Sequence, residues 1–295
     1  FVDIDLSTGF VSIEALKEKL EIADKKGKLP KIFIPVHLGG GSCDMKSIWE
    51  LSKKYGFSIV EDASHCIGSK YYDEFVGNCK YSDICVFSLH PVKIITSGEG
   101  GLITTKDKEL DKHLKMSRSH GITKDKDLFK INNQPQWAYE QQYLGFNYRM
   151  SDIHAALGIS QLSRVDEIIK KRHAIRSKYI SYFNKCHLNV LSINKKVQSS
   201  NHLFIILLKE CDDLKNKHKE IFNFMRQENI GVQLHYIPVH NQPYYKALGF
   251  KANDFPNAEK YAKSAISLPI YPELNDEEIR YVSNTLISKI KEVYN

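Results

Sequence analysis

Apolar positions recur along this chain at two periods, and the periods alternate. Ile13, Leu16 and Leu20 follow Ser12 at helical spacing, with Ser12 placed to cap the helix. The run 31–37 (KIFIPVH) reads as a strand. Asp44 then precedes Ile48, Leu51 and Tyr55 on one helical face, which Gly56 closes. The runs 57–61 (FSIVE), 82–89 (SDICVFSL) and 101–105 (GLITT) are short and nearly continuously apolar. Such strands, separated by helices, predict a sheet covered on both faces and at least partly parallel, the core of an α/β protein.

A longer periodic stretch follows. From Ser151 onward Ile153, Leu157, Leu162, Val165, Ile169, Ile175 and Tyr179 recur at roughly helical spacing, and no Gly or Pro after Gly158 interrupts them before Tyr182. The pattern predicts one long helix starting near 151 that joins two units. The first is a large domain over 1–165, the second a smaller α+β domain over 166–295. In the second, 202–208 and 231–237 read as strands, and Ile221, Phe224 and Met225 mark a helix. Asn275 and Glu278 form a capping pair before a last helix that presents Ile279, Val282, Leu286, Ile290 and Val293. The polar segment 123–136 has no periodicity and is predicted to be a loop.

Composition narrows the class. The chain has 295 residues, 42% apolar and 26% charged, which excludes collagen-like, low-complexity and globally disordered proteins. No apolar run approaches the roughly 20 residues of a membrane span, and no secretory leader pattern opens the chain. It begins as if cut from something longer. Lysine and arginine exceed aspartate and glutamate by 42 to 35, a net charge of +7. That excess is scattered as short lysine pairs without a basic stripe interleaved with aromatics, so no nucleic-acid partner is expected. The six cysteines show neither C-x-x-C pairing nor zinc-ligand spacing; they read as reduced thiols of a cytoplasmic protein, with no metal site.

Two segments carry candidate chemistry at strand ends. EDASH at 61–65 ends the strand FSIVE, where open α/β sheets bind ligands. An acid there can meet a cationic ligand nitrogen, or it can cap a helix. Lys93 in SLHPVK follows the next buried strand and precedes the glycine-rich TSGEGG at 96–101. A lysine held partly inside a protein loses proton affinity and becomes nucleophilic toward carbonyls; the alternative is a surface lysine in a mobile turn. An acid and a lysine on successive strand ends match what pyridoxal phosphate needs, a Schiff-base partner and a carboxylate against the ring nitrogen. Asn147 and Arg149 stand before the Ser151 cap, either an anion site at a helix entry or an ordinary exposed entry. The segment 231–245 (GVQLHYIPVHNQPYY) carries His235 and His240 without helical metal spacing. It reads equally as a substrate-facing aromatic loop and as a packed turn.

With these segments in view, the chain resembles the DegT/StrS family of sugar aminotransferases over nearly its whole length. The resemblance rests on EDASH at 61–65, SLHPVK at 88–93, TSGEGG at 96–101, GFNYRMSDIHAALG at 145–158 and HYIPVH at 235–240. It implies the type I fold of pyridoxal-phosphate-dependent transferases, a mixed, mostly parallel sheet between helices plus a smaller C-terminal α+β domain. By position, Lys93 matches the Schiff-base lysine and Asp62 the acid on the pyridine nitrogen. Ser88 matches a donor to the cofactor phosphate. His65 stands near the ring hydroxyl, where many members have Gln. Asn147 matches an asparagine that reaches the partner's cofactor phosphate in a homodimer. Arg149, His235 and Tyr236 fall in substrate-binding segments. HPVK and HYIPVH are most similar to the members that aminate C4 of a UDP-linked 4-keto-6-deoxy-N-acetyl sugar on the way to pseudaminic acid, with glutamate as amino donor. Members that replace the lysine with His dehydrate instead, and Lys93 argues against that. Family members carry some eighty to ninety residues before the point where this sequence begins, including a phosphate-binding loop. A shortened, non-catalytic regulator or partner-binding relative is the alternative.

Overall fold

The computed structural model describes residues 1–183 and 186–294. Helix α1 (Ile13–Lys25) starts where the Ser12 hydroxyl accepts the Ala15 N–H at 3.2 Å, and it buries Leu16 and Leu20. Strand β1 (Ile32–Phe33) is shorter than the run 31–37, and Val36 adds only an isolated parallel bridge to Asp62. Pro35 interrupts the ladder because it has no N–H to give; its carbonyl still accepts from Asp62 N at 3.0 Å. Helix α2 (Met45–Tyr55) is capped by Asp44 and closed by Gly56, whose φ of 75° suits glycine. Strand β2 (Ser58–Asp62) follows, then a hairpin of β3 (Lys70–Tyr71) and β4 (Glu74–Phe75), then β5 (Ile84–Ser88) and β6 (Gly101–Thr104).

The principal sheet has the order β1-β2-β5-β6. Its first two pairings are parallel and the last antiparallel. Asp62 is registered with Val86, so β2 and β5 end side by side and deliver Asp62 and Ser88 to one edge. On one face Leu16, Leu20, Ile48, Leu51 and Ile59 form a common core.

Helix α3 (Lys108–Arg118) leads to the paired strands β7 (Ile122–Thr123) and β8 (Glu140–Gln141), with a loop between them broken only by one 3-10 turn. The single long helix expected from 151 is two helices, α4 (Asp152–Leu162) and α5 (Val165–Phe183). They part where the Ser163 hydroxyl bonds back to the Ser160 carbonyl at 2.9 Å. Their surroundings differ: α5 buries Ile175, Tyr179 and Phe183, whereas α4 buries no residue.

Strands β9 (Leu188–Val190), β10 (Val197–Gln198) and β11 (Phe204–Leu208), helices α6 (Leu214–Gln227), α7 (Pro243–Ala247) and α8 (Pro256–Ser264), strand β12 (Ala265–Leu268) and helix α9 (Asp276–Tyr294) complete the chain. Antiparallel β12-β11-β9 packs Phe204, Ile206 and Ile266 against Ile221, Met225, Ile279 and Leu286. The Asn275–Glu278 capping pair is present, with Asn275 N donating to Glu278 at 2.9 Å and Asn275 Oδ1 accepting from Glu278 N at 3.0 Å. Segment 231–237 is not a strand; Gln233 alone bridges to Ser267. The Tyr261 hydroxyl donates to the His235 carbonyl at 2.8 Å, so a backbone acceptor that would extend the ladder is engaged elsewhere, and the His235 ring meets the Ser267 hydroxyl at 2.8 Å. Strand β10 joins the β3–β4 hairpin, which brings the chain after α5 back onto the first unit.

Candidate active site

The residues after Asp62 form turns over 63–69, so Asp62 caps no helix. Its Oδ1 accepts from the Ser64 amide at 3.1 Å and the Ser64 hydroxyl at 2.5 Å, a local turn fixed by the side chain. Oδ2 takes no hydrogen bond among the described residues.

Lys93 lies half-buried in a turn whose neighbours are packed. Ile94 and Ile95 beside it are buried with Leu89, packed against Met150 and the start of α5. The glycine-rich loop folds back over them. Leu89 N donates to Gly100 O, Ser97 N to Leu89 O, and the Ser97 hydroxyl to Glu99 O. A Cβ on Gly100 would lie 2.5 Å from Met150 Cε and 2.6 Å from Ser97 Oγ, so a larger residue there would have to displace these side-chain ends. Burial holds the Lys93 ammonium below the usual lysine range, with the Asp62 charge opposing. Ser88, at the end of β5, receives the His90 N–H at 3.3 Å.

His65 is buried beside them. Its Nδ1 accepts the Gly39 N–H at 3.2 Å, so the hydrogen of the neutral ring sits on Nε2, 3.3 Å from the Tyr236 hydroxyl. The His202 ring lies against it, with centroids 4.4 Å apart. Burial, with Lys93 nearby, lowers the pKa of His65 to about 4. Burial first, then His65, Arg172, Lys93 and His235, lowers that of His202 to about 2. His235 is also lowered, by burial and then Lys93. Burial and the Asp62 charge raise the Tyr236 phenol, which therefore keeps its proton. Three imidazoles whose proton affinity is lowered by burial thus lie near one amine and one carboxylate.

The structure gathers Lys93, Asp62, His65, His235 and Tyr236, and places Ser88 on the adjoining strand end. It does not bring Asn147 and Arg149 to them. Both are exposed on a segment tied to α3 by Tyr148 N–Arg118 O and a bridge from Asn147 to Ser119. Sequence reasoning missed His202, read only as the start of a strand, and Gly39, whose run with Gly40 and Gly41 after a strand end was the available signal. It also missed a buried pair on the other face of β2, His37 Nε2 to Glu61 at 2.7 Å, with Ser82 on the second Glu61 oxygen. Among the described residues no cluster could hold a metal ion, and no helix is long and apolar enough to cross a membrane.

Residues 1–287 match the DegT/DnrJ/EryC1/StrS aminotransferase family. The UDP-4-amino-4,6-dideoxy-N-acetyl-beta-L-altrosamine transaminase of Campylobacter jejuni is 37% identical over 259 residues, 88% of this chain and 65% of that protein. The chain therefore spans about two thirds of that relative's length. Helicobacter pylori PseC, an aminotransferase involved in the biosynthesis of pseudoaminic acid, superposes with a TM-score of 0.88 at 29% identity, over 99% of this chain and 73% of that one. The PLP form of the sugar aminotransferase Spr1654 of Streptococcus pneumoniae gives 0.86 at 27%, over 99% and 75%. The fold is that of the type I pyridoxal-phosphate-dependent aminotransferases.

Proposed function

The chain belongs to the DegT/DnrJ/EryC1/StrS aminotransferase family, and on that basis we propose that it moves an amino group from an amino acid, glutamate by resemblance, to the C4 keto carbon of a UDP-linked 4-keto-6-deoxy-N-acetyl sugar. The likeness to the altrosamine transaminase and to PseC supports this substrate class and a place in the synthesis of pseudaminic acid or a related surface glycan. The observation that carries the reading is the Lys93 amine, held below its usual pKa by burial, in the field of Asp62 at the neighbouring strand end.

The family is pyridoxal-phosphate-dependent, and the donor set fits that cofactor: a desolvated amine, a carboxylate with one free oxygen, an Nε2–H donor and a strand-end hydroxyl. When bound, the cofactor supplies an electron sink for the carbon that loses its proton. Lys93 would hold the cofactor through its amine, and the same amine would serve as the base for the α-proton of the amino donor. The free Asp62 oxygen would keep a proton on the ring nitrogen. His65 Nε2–H, which faces the Tyr236 hydroxyl, would be shared with the ring hydroxyl, and Ser88 would donate to the phosphate. His235 and Tyr236 line the substrate side. Asn147, exposed in a single copy, stands to complete the partner's site in a homodimer.

The test is Lys93→Ala. Incubation with the cofactor followed by borohydride should leave wild-type protein covalently labelled and the variant unlabelled, with aminotransfer lost. Equal labelling at the same site content would remove Lys93 from its role.

A further inference from the structure

Three segments remote in sequence cross at His65: the loop 38–41, the turn 63–69 and the strap 199–203. Ser69 Oγ donates to Gly40 O at 2.7 Å. Ser200 N lies 3.0 Å from Gly40 O and 3.1 Å from Ser69 Oγ. Ser200 Oγ donates to the His65 carbonyl at 3.1 Å, and Leu203 N donates to Gly39 O at 3.2 Å. Gly40, at φ 96°, permits this crossing, since a Cβ there would stand 2.8 Å from both Asn201 N and His202 N. Asn201 turns the strap at φ 51°, a left-handed conformation that asparagine tolerates.

On its far side the strap meets Arg172 of α5. This side chain is 6% exposed and forms no ion pair among the described residues. A buried guanidinium without acceptors is costly, and here one terminal nitrogen reaches three carbonyls. The two N–H groups of Arg172 Nη1 are shared among Ile270 O at 2.9 Å and Asn201 O and His202 O, both at 3.2 Å. The bonds fix the backbone on either side of the His202 Cα, and with it the ring that lies on His65. Lysine would keep the charge, but its ammonium ends about one bond short of the Nη1 position and so would not reach the three carbonyls together.

We infer that Arg172 is a positioning residue that clamps the strap 199–203, so that His202 presses His65 onto the Gly39 N–H and leaves Nε2–H directed into the site. Its importance for aminotransfer rests on the function proposed above; the geometry of His65 does not.

The test reads the His65 ring by nitrogen NMR of the whole chain labelled at histidine, without added cofactor. In the wild type His65 should show a single Nε2–H tautomer and an acid midpoint near 4. Arg172→Lys should give an averaged tautomer signal and a midpoint at least one pH unit higher. His202→Ala should do the same, whereas His202→Phe, which keeps a ring in place, should retain the wild-type tautomer. A folded Arg172→Lys protein with unchanged tautomer and midpoint overturns the inference. Should that variant not fold, unchanged signals in His202→Ala overturn it. Because no cofactor or substrate is used, a chain that shows these shifts yet transfers no amino group would refute the proposed function and leave this one standing.

Discussion

Replacing His202 with phenylalanine should flatten the acid limb of the protein's stability. In the folded chain His202 stays neutral down to about pH 2, whereas its ordinary value is 6.5. Between those limits only the unfolded chain binds the proton. Acidification therefore favours unfolding, and the stability lost grows as pH falls below about 6.5. Going from pH 7.5 to 5 covers about 1.5 pH units below that value. At about 1.4 kcal/mol each, the loss is roughly 2 kcal/mol. His65, with a folded value of about 4, adds a similar amount over the same interval. Set against a typical total of about 5–15 kcal/mol, the two are a substantial share. The phenylalanine variant removes one titrating group from both states while keeping a ring against His65. Urea unfolding followed by circular dichroism at pH 7.5 and 5 gives the loss for each protein. The difference of the two losses cancels every other titrating residue. It should be about 2 kcal/mol smaller in the variant. Equal losses in the two proteins would mean that His202 is not held neutral, and the account of imidazoles whose proton affinity is lowered by burial would fail with it.

Asp62→Asn should retain covalent cofactor but slow the half-reaction with the amino donor by roughly a hundredfold or more, because an amide cannot keep the ring nitrogen protonated; wild-type rates in stopped flow would make Asp62 a turn-forming residue only. Gly40→Ala should lower stability by about 2–4 kcal/mol, since the added Cβ meets the strap backbone at a φ unsuited to alanine. An unchanged denaturant midpoint would contradict the crossing at His65. Mixing Lys93→Ala and Asn147→Ala subunits should restore part of the activity if Asn147 completes the partner's site. No recovery would place the whole site within one chain.

What the sequence by itself determined was local. Ser12, Asp44, Ser151 and Asn275 each cap the helix expected of them, because a cap is a bond between residues two or three apart and needs no distant partner. The apolar strands 57–61, 82–89 and 101–105 are found within a residue or two, since short apolar, β-branched runs mark strands locally, although β2 and β5 bury only alternate residues and β6 is largely exposed. Asp62 and Lys93 were legible for a related reason: Asp62 ends β2, Lys93 lies five residues beyond β5, and these parallel neighbours end together. The failures have two causes. The break between α4 and α5 is marked by a local Ser163–Ser160 bond that apolar periodicity does not register, whereas 231–237 fails as a strand through bonds such as Tyr261–His235 that connect residues 26 apart in the chain. His202 and Arg172 carry no local signature at all. His202 lies beside His65, and Arg172 behind the strap, through contacts spanning 29 to 135 residues where the strap 199–203 crosses the glycines at 39–41. Tertiary packing alone decided which histidines surround Lys93, because the burial that keeps them neutral belongs to the crossing of three segments and to none of them separately.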